Sequence, residues 1–310
     1  MTLNSQKISV ILCTHNREEF LEKCLLSLEN QQGCAGQYDV IIIDNASTDS
    51  TAEIAKRFTE KNINFKYHLE NRLGLARARN TGLELTSAPL AAFTDDDAIP
   101  SENWVASMLE RFSQLPSDVA VLGGEIDPIW ESERPVWLTD SLLRPLSAWL
   151  GWDTVPRILR RDEWICEVNC CYRTEIIKKY GGFPETLGRK GDLLLSGENY
   201  VNEQIFSDGF RAFFDPSIRV SHFIPSNRLT VNWFLRRSFW QGVTASVCAE
   251  YDKQQGRKTE YWQSVKLPAN VSDWSSILEA GESANSVEEG CGLISNIGYL
   301  LGVRGLVIGR

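Results

Sequence analysis

Three consecutive carboxylates, Asp95-Asp96-Asp97, follow Thr94 at the end of the apolar run Pro89-Leu90-Ala91-Ala92-Phe93. Like charges this close repel, so a core segment that ends on them must meet a cation, a basic ligand or open solvent. In an extended segment Asp95 and Asp97 leave on the same side. Two hard oxygen ligands then converge on one point, as Mg²⁺ or Mn²⁺ requires while holding a substrate phosphate. A solvated acidic turn capping a helix that starts at Ser101 is the alternative. Two further polar clusters end apolar runs: Thr14-His15-Asn16-Arg17 follows Ile8–Cys13, and Asp44-Asn45 follows Val40–Ile43.

The elements that position these clusters alternate between strand and helix patterns, which specifies a parallel sheet. Ile8–Cys13 and Val40–Ile43 read as buried strands, each followed by apolar residues at helical spacing: Phe20, Leu21, Cys24, Leu25 and Leu28, then Ala52, Ile54, Ala55 and Phe58. Ser47, Thr48 and Asp49 offer cap side chains to the second helix. A weaker strand at Asn64–Leu69, a helix at Leu75–Leu85 carrying Arg77 and Arg79, the strand ending on the aspartates, a helix from Ser101 and a strand at Val119–Gly123 complete the alternation. The carboxyl ends of such strands form the ligand crevice, and all three polar clusters fall there.

From about Asp127 to Arg161 the rhythm lapses, and Trp130, Trp137, Trp149 and Trp152 appear among prolines. Substrate-facing structure and aromatic packing over one end of the core are equal readings. Patterning resumes with Trp164–Tyr172, a helix from Thr174, a Gly181-Gly182-Phe183-Pro184 turn and a glycine-rich loop Leu187–Gly197 with Arg189, Lys190 and Asp192. A helix beginning near Glu198, strand-like Ala212–Asp215 and Ile218–His222, and a long amphipathic helix Leu229–Ala249 follow.

With 310 residues the chain can bury a sizeable core. Its formal charge of -9 opposes non-specific nucleic-acid binding, because no excess of cations can neutralise a phosphate backbone. Eight cysteines without C-x-x-C spacing read as buried thiols of a reducing compartment. A polar start, without a signal-peptide pattern or a bilayer-length apolar stretch, leads to the expectation of a cytoplasmic protein. The apolar Gly292–Arg310 segment has a basic end and reads either as a packing segment or as a peripheral contact at the inner face of a membrane.

The blocks Val10–Arg17 (V-I-L-C-T-H-N-R), Ile43–Asp49 (I-D-N-A-S-T-D), Gly74–Gly82 (G-L-A-R-A-R-N-T-G), Phe93–Pro100 (F-T-D-D-D-A-I-P), Ser196-Gly197-Glu198 and Phe213–His222 (F-F-D-P-S-I-R-V-S-H) stand in one order. Together they resemble a family 2 glycosyltransferase over about Ile8 to His222. The resemblance implies a GT-A type α/β fold: a Rossmann-like, mainly parallel sheet flanked by helices, a smaller acceptor-side subregion and a C-terminal helical extension. The expected divisions are 1–125, 126–228 and 229–310.

It further implies that Thr14, Asn16, Arg17, Asp44 and Asn45 hold the nucleoside, with Asp44 accepting from a pyrimidine N–H. The alternative for Asp44 is a strand-end turn residue. Arg79-Asn80 is the implied nucleotide contact, Arg77 a solvated face and His15 a shape residue. Asp95 and Asp96 bear on the nucleotide, while Asp95, Asp97 and His222 hold Mn²⁺ or Mg²⁺, the histidine as a neutral nitrogen ligand.

The implied reaction is inverting, metal-dependent and non-processive transfer from a UDP- or other NDP-sugar to a hydroxyl acceptor such as a glycan or glycolipid. The family's base is a carboxylate near a Gly-(Glu/Asp)-(Glu/Asp) element, which here reads Gly197-Glu198-Asn199. Glu198 is the expected base, with Asp192, Glu203 and loss of activity as alternatives, and capping of the following helix is the structural reading of Glu198. A degenerate nucleotide-sugar-binding scaffold and a nucleotidyltransferase are the competing functions. The second lacks its usual glycine-rich loop at Thr14-His15-Asn16-Arg17.

Overall fold

Successive side chains of the first strand divide between two cores. In β1 (Ile8–Thr14), Ile8, Val10 and Leu12 pack on one face of the sheet and Ile11 on the other. In β2 (Tyr38–Asp44), Val40 and Ile42 join the first core, and Ile41 and Ile43 the second. Both faces of these strands are therefore apolar, as a sheet covered by helices on each side requires. The structure, a computed structural model, describes residues 7–148, 151–190, 193–194, 197–258 and 283–307.

The first core packs against α1 (Glu18–Glu29), α2 (Thr51–Lys61) and α4 (Trp104–Gln114). Against the second lie α3 (Leu75–Leu85), α5 (Thr174–Lys179) and α6 (Glu198–Ser207). The remaining strands are β3 (Phe65–Leu69), β4 (Leu90–Asp95), β5 (Ala98–Pro100), β6 (Val119–Trp130), β7 (Arg157–Ile158), β8 (Cys170–Arg173), the two-stranded pair β9 (Arg189–Lys190) and β10 (Leu193–Leu194), and β11 (Arg211–Ile224). Main-sheet order is β3-β2-β1-β4-β8-β6-β11-β5, with β7 on β11.

Of the strands that the alternation in the first half of the chain marks as parallel, β3, β2, β1 and β4 are so. Beyond β4 the sheet is mixed, since β4–β8, β8–β6 and β11–β5 pair antiparallel. Antiparallel partners need no crossover helix, so the alternation that identified the first strands could not report the later ones.

Two boundaries differ from expectation for local reasons. Helix α4 begins at Trp104 instead of Ser101, because Ala98–Pro100 is an additional strand and Ser101 donates its backbone N–H to Arg219 O at 3.0 Å. The two strand-like runs at 212–215 and 218–222 are one strand, β11, in which Asp215 Oδ1 accepts from the Ser217 N–H at 2.9 Å across Pro216.

Contacts divide the chain into two compact units: residues 1–129, 147–186 and 198–223 in the first, and 130–146, 187–197 and 224–310 in the second. The second unit contains α7 (Val231–Gln254) and α8 (Ala284–Val303). Thr230 Oγ1 caps α7 by accepting from the Trp233 N–H at 3.2 Å. The apolar C-terminal segment forms most of α8 and packs on α7 through glycines: a Cβ at Gly242 would lie 1.8 Å from Ser295 O, and one at Gly298 2.1 Å from Phe239 O. Trp137 meets Phe234 edge to face in this unit, and Trp152 meets Trp164 in the first. Trp149 lies outside the described residues. None of the eight cysteines is joined in a disulfide. Among the described residues no helix is long and apolar enough to cross a membrane.

Candidate active site

The triple aspartate sits where β4 stops. Asp95 is the last strand residue, Asp96 and Asp97 form a turn, and β5 leads away. Its antiparallel register sets His222 of β11 opposite Ala98, and the Phe223 N–H bonds to Asp97 O at 2.9 Å. A strand of three residues thus carries a histidine from far down the chain to the aspartates. His222 Nε2 lies 3.3 Å from Asp97 Oδ1. One ligand atom from each of Asp95, Asp97 and His222 falls within 4.8 Å of the others. The two aspartates converge through a turn, not along an extended strand.

Cations frame the carboxylates. Arg17, at the head of α1, approaches Asp96 at 3.7 Å and Asp97 at 3.8 Å, and Arg79 of α3 approaches Asp95 at 3.5 Å. Arg79 is buried and stacks 5.4 Å over the Phe183 ring. Burial pushes the Asp96 carboxyl up to about 8, the Asp97 charge adds to this, and the Arg17 guanidinium opposes it. With Asp96 pushed toward its neutral form, Asp95 and Asp97 are the carboxylates left to meet a divalent cation, and a cation bound beside them would favour the ionised form of Asp96 as well. The oxygen and nitrogen donors fit Mn²⁺ or Mg²⁺.

The loops after β1 and β2 are laced together. Asn16 donates its backbone N–H to Ser47 Oγ at 3.0 Å, and its Oδ1 accepts from the Thr48 N–H at 2.7 Å. Arg17 donates its N–H to Thr51 Oγ1 at 2.9 Å. Asn16 and Ala46 hold positive φ values of 51° and 60°, uncommon for residues with side chains and concentrated here at the crevice. His15 Nδ1 lies 2.8 Å from Asn45 O, in keeping with a shaping role.

Several expected ligand contacts have other partners. Asp44 is fully buried; its Oδ1 accepts from the Ser47 N–H at 2.9 Å and its Oδ2 from the Tyr67 hydroxyl at 2.8 Å. Asn45 donates to Glu70 O and Arg72 O and accepts from the Gly74 N–H at 2.7 Å, so its amide braces the loop that launches α3. Asn80, expected beside Arg79 at the nucleotide, bonds the Phe183 backbone in both directions at 2.8 Å. That pins the turn in which Gly181 and Gly182 have positive φ. Thr14 is buried at the end of β1.

Arg77 pairs with Glu185, as a helix-surface residue would. Glu198 is the first residue of α6, and nothing of its side chain is described. Asp192 and Ser196 lie outside the described residues. Glu203 is paired with Arg161 and accepts from Ser207 Oγ at 3.1 Å, so its carboxylate is already engaged.

A helix-covered sheet with three acidic and two basic side chains at the carboxyl end of its parallel strands is the arrangement of a GT-A glycosyltransferase. Residues 9–146 match "Glycosyl transferase family 2". That match spans a little under half of the chain and, with the glycosyltransferase relatives, marks the chain by class as a transferase enzyme. It is 24% identical over 281 residues to the glucosyl-dolichyl phosphate glucuronosyltransferase of Haloferax volcanii, covering 88% of this chain and 87% of that protein. A second relative from the same organism, glycosyltransferase AglE, is 27% identical over 62% of this chain and 61% of its own length. Among solved structures, a mannosyltransferase from Pyrobaculum calidifontis in complex with GDP-Man and Mn²⁺ superposes with a TM-score of 0.61 at 17% identity. That match covers 95% of this chain and 87% of the other, and it shows the shared fold.

Proposed function

We propose that the chain catalyses inverting, cation-dependent, non-processive transfer of a sugar from a nucleoside-diphosphate sugar to a hydroxyl of a lipid-phosphate-linked glycan. The convergence of Asp95, Asp97 and His222 at one point carries this reading. The Mn²⁺ of the mannosyltransferase complex and the dolichyl phosphate in the name of the Haloferax relative support the cation and the acceptor class.

In this reading Asp95, Asp97 and His222 hold a divalent cation. Bound there, it would offset charge on the two phosphates as the nucleoside diphosphate departs. Arg79, desolvated on the Phe183 ring, supplies a fixed positive charge at the same crevice, and Arg17 a more exposed one at its α1 side. Asp44, Asn45 and Asn16 hold the shape of the nucleoside pocket through the bonds described. Glu198, at the start of α6, takes the acceptor's proton as its oxygen attacks the anomeric carbon, and this single displacement inverts the centre. We place the enzyme in the cytoplasm, meeting its lipid-linked acceptor at the inner face of the membrane.

A nucleotide-sugar panel read by thermal shift, with and without Mn²⁺, tests the donor. A ligand that binds only the native state raises its stability by mass action, about 2.7 kcal/mol at a hundred times its Kd. Product anomeric configuration by NMR tests inversion. A second reading, a nucleotide-sugar binder without transfer, is favoured by Asn199, an amide where the family's second acidic residue stands. Donor binding without turnover against any acceptor would support it.

A further inference from the structure

Ser147 has φ 54°, in the left-handed region where a residue other than glycine or asparagine is rarely found. That conformation is strained and persists only where surrounding contacts over-determine it. Two contacts do so here. The Ser147 carbonyl lies 3.1 Å from Nδ1 of the buried His222, and the Ser147 side chain hydrogen-bonds the buried Cys166 thiol. A carbonyl can only accept, so Nδ1 must carry the ring proton. In a neutral imidazole this leaves the lone pair on Nε2, the nitrogen that faces Asp97 at 3.3 Å.

We infer that Ser147 is a positioning residue: its strained backbone aims a carbonyl that holds His222 in the tautomer able to ligate a divalent cation through Nε2. The inference rests on the cation-dependent reading above and extends it to a residue in none of the site's sequence blocks. Outer-shell partners of ligating histidines typically contribute 10–100-fold to metal affinity. Ser147→Gly keeps the carbonyl and accepts positive φ without strain, whereas Ser147→Val puts a β-branched side chain where positive φ is a genuine outlier and drives the carbonyl away from His222.

The test has two parts on the full chain. Long-range ¹H–¹⁵N correlation spectra of Mg²⁺-saturated wild type should show His222 protonated on Nδ1 and not on Nε2. This measurement needs no variant and survives any failure of Ser147→Val to fold. Mn²⁺ titration followed by electron paramagnetic resonance should give Ser147→Gly an affinity within about threefold of wild type, and Ser147→Val a loss of about 10-fold or more. A proton on Nε2, or equal Mn²⁺ affinity in wild type and a folded Ser147→Val, overturns the inference and leaves the cation site standing. A wild type that binds no Mn²⁺ overturns the cation reading and, with it, the ligating role that Ser147 is inferred to support.

Discussion

Tyr67 donates its hydroxyl to Asp44 at 2.8 Å, tying β3 to the last residue of β2 at the bottom of the crevice. The same carboxylate accepts from the Ser47 backbone, so Asp44 joins the strand end to the loop that follows it. Of the two roles that its place in the sequence left open, the turn brace is the one these bonds describe.

Asp44→Ala leaves a buried hydroxyl and a buried N–H without their acceptor, and should destabilise the ligand-free protein by about 1–3 kcal/mol. Tyr67→Phe removes one of these bonds and should cost about 1 kcal/mol, with nucleotide affinity retained. Urea melts of both variants, with nucleotide titration of the folded fraction, check this. An Asp44→Ala protein as stable as wild type would contradict the bracing role.

Glu198→Gln should preserve the fold and donor affinity while lowering transfer on the order of a hundredfold to ten-thousandfold, because the amide keeps the shape but cannot accept a proton. Asn199→Asp should leave the rate unchanged or raise it. Steady-state kinetics with donor saturating gives the answer, and unchanged transfer in Glu198→Gln would remove it from the mechanism. Glu203, held by Arg161, is then the less suitable replacement, and Asp192 the next to examine.

Glu70 predicts an acid-dependent contribution to stability. Its carboxylate accepts from Arg72 and from Thr81 Oγ1, and the Arg72 hydrogen bonds hold it down at about 2 from an ordinary 4.5. A depressed folded-state value means that the contribution is fully present above about pH 4.5 and is lost as pH falls toward 2. The stability difference between wild type and Glu70→Gln should therefore be constant from pH 7 to 5 and shrink below it. Thermal melts across that range would contradict this if the difference grew as pH fell.

The α7–α8 pair offers a contrast within one helix. Gly298→Ala would drive a methyl into Phe239 O and should cost about 1–3 kcal/mol or more. Gly292→Ala meets nothing within 4 Å and should stabilise by up to about 1 kcal/mol through helix propensity. Melting temperatures of equal sign for the two variants would contradict the close packing of α8 on α7.

Much of this architecture is legible in the sequence where local signals are strong. Val10–Leu12 and Val40–Ile43 are apolar on both faces, and the Leu75–Leu85 periodicity corresponds to α3 residue for residue. The aspartates Asp95 and Asp97 stand out locally, whereas His222, which ends an apolar run, reads by itself as a satisfied core or surface residue and joins them only through the family resemblance. The three-residue strand Ala98–Pro100 is not, since periodicity needs more positions than it has. Asn45 and Asn80 resemble ligands in sequence yet brace backbone, because an amide's partners depend on which loops arrive beside it. Ser147 has no local signal, since its role resides in a dihedral angle and a main-chain oxygen.

The central claim is that Asp95, Asp97 and His222 form a cation site through which a nucleoside diphosphate binds. Calorimetric titration of UDP and GDP into wild type and Asp97→Ala, each with Mn²⁺ and with chelator, tests it most directly. The account predicts measurable binding of at least one nucleotide to wild type with Mn²⁺, and a loss of about 10-fold or more both on chelation and in Asp97→Ala, a replacement that removes a ligand atom while leaving β4 intact. Equal affinity in wild type and Asp97→Ala, or binding indifferent to chelator, would contradict it.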